Sequence, residues 1–190
     1  MQARSTEQIL DQLEAHWTGP CRYRFHIETR AMPPWMKCTG TFEFFNDGKK
    51  WGYEAVEDYD TRGYGRSGFR TRIEYQCNGR TLTKRMQIGD DPGKKKREPL
   101  TKYRDNYPSP VFFQSLRENP KLSSRIRRTA AGQTLYLLGT SEPKRRFRSY
   151  FIGTRTRWTF CADTCLPLER RISSTGYLFA ATTRFILIED

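Results

Sequence analysis

The chain has 190 residues, 14% of them aromatic, and 34 lysines and arginines against 21 aspartates and glutamates, a formal net charge of +13. Such a length predicts one domain with a core that needs neither metal nor a disulfide framework. The charge implies attraction to something anionic, whether nucleic acid, an anionic membrane surface or an acidic partner, and carries no information about fold. No run approaches the roughly 20 apolar residues of a spanning helix. No signal peptide is visible, since Met1-Gln2-Ala3-Arg4 leads straight into a polar helix. If the protein is exported, the chain begins after its leader, with Met1 added.

Ser5 to about Trp17 reads as the best helix. Ser5 and Gln8 fit a capping box. Ile9, Leu10, Leu13 and Trp17 recur at helical spacing, and Gly19-Pro20 stops the pattern. Cys21–Arg30 is the cleanest strand. Cys21, Tyr23, Phe25 and Ile27 alternate with Arg22, Arg24, His26 and Glu28, which fits an antiparallel sheet with one buried face. Met32-Pro33-Pro34 breaks it. Lys37–Phe45 sets Cys38, Phe42 and Phe44 against Thr39, Thr41, Glu43 and Phe45. Asn46-Asp47-Gly48 signals a turn, and Lys49–Glu57 returns with Trp51, Tyr53 and Ala55 on one side.

Asp58–Gly68 is a glycine-rich loop holding a literal G-x-G-x-x-G, Gly63 to Gly68. A dinucleotide-binding turn needs a helix next, and Phe69–Cys77 reads as a strand, so a hairpin loop is the better reading. Asn78-Gly79 then predicts a type I′ turn into Thr81–Ile88. Gly89–Pro99 reads as a polar loop. Its run Lys94, Lys95, Lys96 and Arg97 is either a solvated surface or a set of anionic contacts that weaken with salt. Ser109–Asn119 is a short apolar helix, with Pro110 in its first turn and Phe112, Phe113 and Leu116 on one face. Further strands follow at 124–130, 133–138, 146–152, in the hairpin Thr156–Ser173, and at 177–188. The expected fold is mainly β with a few short helices: a large curved antiparallel sheet, or unclosed β-barrel, of ten or eleven strands under a helical lid, in a single domain over 1–190.

Five cysteines leave an odd one, and none sits in C-x-x-C, so zinc and thioredoxin readings fail. A five-residue turn can bring Cys161 and Cys165 into disulfide range. An exported protein would use that bond, and a cytosolic one would keep both thiols reduced. Cys21, Cys38 and Cys77 read as small buried hydrophobes.

No catalytic constellation, cofactor site or metal site is legible. The two histidines, His16 and His26, have no convergent partners. Glu28, Glu43 and Glu54 sit among arginines and read as surface ion pairs. Nucleic-acid binding is a rival, since basic strands with aromatics can build a charged stacking groove. The alternation counts against it, because arginines and aromatics point to opposite faces. The remaining class is a binding protein whose curved sheet and greasy helices enclose an apolar space.

The order of elements also resembles a family. A leading amphipathic helix precedes Gly40-Thr41-Phe42 and Lys50-Trp51, an Asn78-Gly79-Arg80-Thr81-Leu82 turn, a helix opened by Ser109-Pro110, and a late Trp158, Phe160, Asp163, Leu166-Pro167-Leu168 strand-turn-strand. The pattern is similar to the LolA/LolB-like periplasmic lipoprotein carriers and their outer-membrane-lipoprotein-sorting relatives. That resemblance implies an unclosed barrel of about eleven strands with a helical lid, a periplasmic location and no catalysis. Lipid or lipoprotein acyl chains would lie on an apolar face and lid formed by Trp17, Tyr23, Phe25, Ile27, Phe42, Phe44, Trp51, Tyr53, Phe112, Phe113, Leu116, Trp158, Phe160 and Phe179. The chain departs from the family in its strong basic charge and in its cysteines, of which Cys161 and Cys165 are expected as a turn staple in an exported protein.

Overall fold

The structure is a computed structural model and describes residues 4–32, 36–60, 70–100, 107–141, 145–147, 150–175 and 179–189. The Gly63–Gly68 motif lies outside them. Among the described residues two helices and twelve strands follow in the order α1 (Thr6–Thr18), β1 (Cys21–Met32), β2 (Lys37–Asn46), β3 (Trp51–Asp60), β4 (Arg70–Cys77), β5 (Thr81–Ile88), β6 (Asp91–Pro99), α2 (Pro110–Arg117), β7 (Ser123–Arg128), β8 (Thr134–Ser141), β9 (Arg145–Phe147), β10 (Tyr150–Cys161), β11 (Pro167–Thr175) and β12 (Phe179–Leu187). Eleven strands form one antiparallel sheet in the order β6-β5-β4-β3-β2-β1-β12-β11-β10-β8-β7, and β9 pairs with β10 off this path. Among the described residues β6 and β7 are edges that do not meet, so the sheet is unclosed.

Each strand sorts its side chains by parity. On β1, Phe25 and Ile27 are buried, while Arg22, Arg24 and Arg30 face water. Register carries the buried set across the sheet: Phe25 opposes Phe42, Phe42 opposes Ala55 and Ala55 opposes Tyr75. The sheet curls around this face and both helices pack inside the curl. The Trp17 ring of α1 lies 4.9 Å from Phe44 of β2 and 6.4 Å from Phe113 of α2, and Phe113 lies 6.1 Å from Phe160 of β10. Strands four places apart in the sheet thus meet through the same helix pair.

Local chemistry fixes the helices. The Ser5 hydroxyl accepts from the Gln8 amide at 3.2 Å and the Gln8 side chain accepts from the Ser5 amide at 2.9 Å, which closes the expected capping box. Ser109 caps α2 by accepting from the Phe112 amide. Arg117 of α2 reaches Asp11 at 2.6 Å and Glu14 at 2.8 Å on α1. These pairs are largely exposed, so packing of the rings holds the helices more than charge does.

Three expectations are corrected. Asn78-Gly79 is not a two-residue type I′ turn: residues 78–80 join the strands, only Gly79 takes a positive φ, and Asn78 Oδ1 accepts from the Thr81 amide at 2.9 Å. The predicted polar loop 89–99 is strand β6, because Lys94, Lys95 and Lys96 continue the ladder opposite Met86, Arg85 and Lys84. Lysines along an edge strand also discourage pairing with a second chain. The expected Cys161–Cys165 disulfide is absent, and both are free thiols. A backbone hydrogen bond from Cys165 N to Cys161 O closes the turn at 2.9 Å, with Cys165 at a φ of 56°. The sulfurs turn to different partners, Gln133 Nε2 donating to Cys161 Sγ and Gln12 Nε2 to Cys165 Sγ.

Candidate functional site

The two ends of the sheet differ. At one end lie the tight turns 47–50, 78–80 and 162–166, where α1 is tied down. Trp17 Nε1 donates to Cys165 O at 3.1 Å, Asn46 Nδ2 donates to Trp17 O and Thr18 O, and Thr6 reaches Ser124 on β7. At the other end β1 finishes and β2 starts, β3 finishes and β4 starts, and β11 finishes and β12 starts; this is called the loop end below.

Most residues expected to line a ligand face sit in the turn-end half and pack on one another. Trp17, Phe25, Ile27, Phe42, Phe44, Tyr53, Phe112, Phe113, Leu116, Trp158 and Phe160 belong to one buried cluster, with Tyr23 and Trp51 half-buried against it. Phe112 lies edge-on to Trp158 at 5.1 Å, and Trp158 stacks on Phe185 at 5.5 Å. These rings are core and wedge the helices in place. The side chain of Phe179 lies outside the described residues. Lys94, Lys95, Lys96 and Arg97 are exposed on the edge strand, away from this cluster.

Toward the loop end the same concave face turns polar. Glu57 is in phase with Trp51, Tyr53 and Ala55 on β3 and is only 7% exposed. Tyr107 donates its hydroxyl to Glu57 Oε1 at 2.6 Å, and Tyr59 donates to Oε2 at 2.9 Å. The Tyr107 ring is held by stacking on Phe42 at 4.6 Å and 14°. Thr29 and Thr183 hydroxyls meet at 2.9 Å across β1 and β12. Cys38 lies between Thr29 and Tyr59 in register. The Arg170 guanidinium stands 5.5 Å from the Trp158 ring centroid, within electrostatic reach of Cys38 and Tyr107.

Burial sets the chemistry of this cluster. It pushes the Cys38 thiol up to about 12, with Glu57 adding to the rise. Burial first and Glu57 second also hold the Tyr59 and Tyr107 phenols above their ordinary value. Thiol and phenols therefore stay protonated near neutral pH, as hydrogen-bond donors and not as nucleophiles. At the turn end, burial raises Cys161, but hydrogen bonds from Thr164, the Asp163 backbone and Gln133 outweigh it and leave that thiol lowered. No cluster of three or more metal-ligating side chains occurs among the described residues.

Two apolar walls flank the polar cluster. Ala31, Ala181 and Ile172 stand on one side in register, and Ile73, Met86 and Ile88 on the other. Met86 and Ile88 face the concave side yet are 39% and 48% exposed. Glu57 is a site residue outside the sequence expectations, although a carboxylate in phase with Trp51, Tyr53 and Ala55 is a visible signal. Tyr107 carries no such signal, because it lies on no strand. Of the acidic residues expected in surface ion pairs, Glu43 pairs with Arg22 and Glu28 lies 3.8 Å from His26, while Glu54 accepts from Gln76.

Fold and site together define an unclosed, barrel-like β-sheet protein, plugged by helices at one end and mixed polar and apolar at the other. No family model matches the chain, and no curated protein matches it. The chain is similar to the solved structure of a β-barrel-like protein, of a domain of unknown function, from Brucella abortus. The two share 8% identity over 90% of this chain and 98% of that one, with a TM-score of 0.34.

Proposed function

We propose that this protein is a non-enzymatic carrier or binding protein that takes an apolar or acylated amphiphile into the loop-end half of its concave face. The observation that carries the reading is the exposure of Met86 and Ile88 on the inner side of the sheet, where the same parity at the turn end is fully buried. Uncovered apolar side chains inside a curved sheet are a binding surface awaiting an apolar group. Each methylene buried there contributes about 0.8 kcal/mol. The Glu57, Tyr59, Thr29 and Thr183 oxygens lie between the two apolar walls, an arrangement that suits a ligand with a polar head better than a bare hydrocarbon. The resemblance of the sequence motifs to LolA/LolB-like carriers supports lipid or lipoprotein acyl chains as the ligand, and a periplasmic or otherwise exported location belongs to the same proposal.

Native mass spectrometry and lipid extraction of the purified protein test it, together with competition against a fluorescent fatty acid. Bound amphiphile is expected, and Met86→Glu with Ile88→Glu should weaken it at least about tenfold, since both apolar contacts are replaced by charge. Absence of bound lipid together with no competition would overturn the reading.

A further inference from the structure

Register sorts the basic residues as well as the aromatic ones. On the outer face one cross-strand row runs Arg157 on β10, Arg171 on β11, Thr182 on β12, Arg30 on β1 and Lys37 on β2, each the registered partner of the next. At the ~4.8 Å spacing of strands the row is about 19 Å long. Arg155, two residues back on β10, stands nearer the loop end on the same face. No acidic residue lies in the row until Asp60 of β3 at its end. The next row toward the turn end is mixed, with Glu169, Arg184 and Glu28 in succession.

The row is costly to the fold. Arg157 directly opposes Arg171, and Arg30 directly opposes Lys37. Like charges facing across a ladder destabilise it. Arg171 is relieved by Glu169 at 2.6 Å, and Lys37 has Asp60 as its registered neighbour on the other side. Arg30, Lys37, Arg155 and Arg157 are exposed and make no ion pair among the described residues. Arg30, Lys37, Arg171 and Arg184 also border a cleft of about 540 Å³, which Glu28 and Glu169 line as well, so basic groups outnumber acidic ones there by four to two. Arg30, Arg155 and Arg157 are left as exposed cations without an ion-pair partner among the described residues, which an external anion would supply.

The Arg30 and Lys37 end of the row lies at the loop end, where Met86 and Ile88 are uncovered, and Arg171 and Arg157 carry it to mid-strand on β11 and β10. Its members are interspersed with Thr182, Ser173 and Ala180 and not with aromatic rings, so it offers phosphates a contact and bases no stacking platform. We infer that this outer-face row docks on an anionic bilayer surface, its Arg30 and Lys37 end bringing the loop end toward the lipid. The inference rests on the amphiphile reading for its purpose, since an acylated ligand enters and leaves through a lipid phase. The docking itself is measured without any ligand.

The test is flotation of the full chain with vesicles of phosphatidylcholine alone and of phosphatidylcholine with phosphatidylglycerol, at low and high salt. Binding to the anionic vesicles, none to the neutral ones, and release by salt are expected. Arg30→Gln, Lys37→Gln and Arg157→Gln together should lower partition about 100-fold, roughly fivefold for each basic residue, the equivalent of about 1 kcal/mol each. Lys49→Gln, Lys50→Gln and Arg80→Gln at the turn end remove the same charge and should change it less than about threefold. Equal loss in both triples reduces the effect to net charge and overturns the inference, as does failure to bind anionic vesicles at low salt. Preference for a labelled oligonucleotide over anionic vesicles overturns it in favour of nucleic acid. Docking that survives Met86→Glu and Ile88→Glu while fatty-acid competition is lost separates the two proposals. Intact competition with no docking sinks only this one.

Discussion

Tyr107→Phe isolates the buried hydrogen bond at the centre of the candidate site. The substitution deletes one oxygen. It leaves a ring that still stacks on Phe42 at 4.6 Å and still touches Tyr53 and Tyr75 at 5.6 and 6.1 Å. Packing losses are therefore small, and the change reads the 2.6 Å contact to Glu57. Tyr107 is 2% exposed and Glu57 7%, so water does not replace the lost donor freely. A hydrogen bond to a charged group contributes about 1.5–3 kcal/mol, and the expected loss is about 2 kcal/mol. Tyr59→Phe removes the longer contact from a half-buried ring and should cost less, about 1 kcal/mol. Urea unfolding followed by tryptophan fluorescence measures both, with the m-value unchanged if only stability moves. In a Glu57→Gln background the acceptor is neutral, and the Tyr107→Phe cost should fall by about half. A cost below about 0.5 kcal/mol, or the same cost with and without the Glu57 charge, would refute the account of the cluster.

Two further predictions concern stability. Burial raises Cys77 to about 11 and Cys38 to about 12 from an ordinary 9.0. Both keep their protons in the folded state while the unfolded thiols lose theirs, so this stability is present below about pH 9 and is lost as pH rises toward 11 and 12. The slope is about 1.4 kcal/mol per pH unit per thiol, and Cys38→Ala should flatten the alkaline limb of a stability–pH curve by about one proton; an unchanged slope would count against burial of that thiol. The second is Gly40→Ala. A Cβ at Gly40 would stand 1.9 Å from the Val56 carbonyl oxygen, a backbone atom of the neighbouring strand. The ladder between β2 and β3 must then shift, at a cost of about 2–3 kcal/mol, and a thermal midpoint equal to the parent's would show that the strands have room to part.

Much of the fold was legible because it is local. The alternation of Cys21–Arg30 assigned its faces, Ser5 and Gln8 capped the first helix, and Ser109-Pro110 opened the second. Strand β6 was hidden because Lys94–Arg97 has neither alternation nor β-branching, and it pairs only because β5 offers an open ladder. The disulfide was inferred from spacing alone. Spacing sets how near two cysteines come but not where their sulfurs point, and here Gln12 and Gln133 draw them apart.

On the strands with clear alternation, β1 above all, the sequence by itself determined which apolar side chains are buried, since a period of two needs no partner. Lateral order needed the tertiary structure. Nothing local places β1 beside β12, or sets Arg157, Arg171, Arg30 and Lys37 in one row, because strand order and register arise from closing the curl around the helices. The same holds for the Glu57–Tyr107 bond, formed by residues fifty positions apart. Parity turned Glu57 inward. Only the packed chain brought a phenol to meet it.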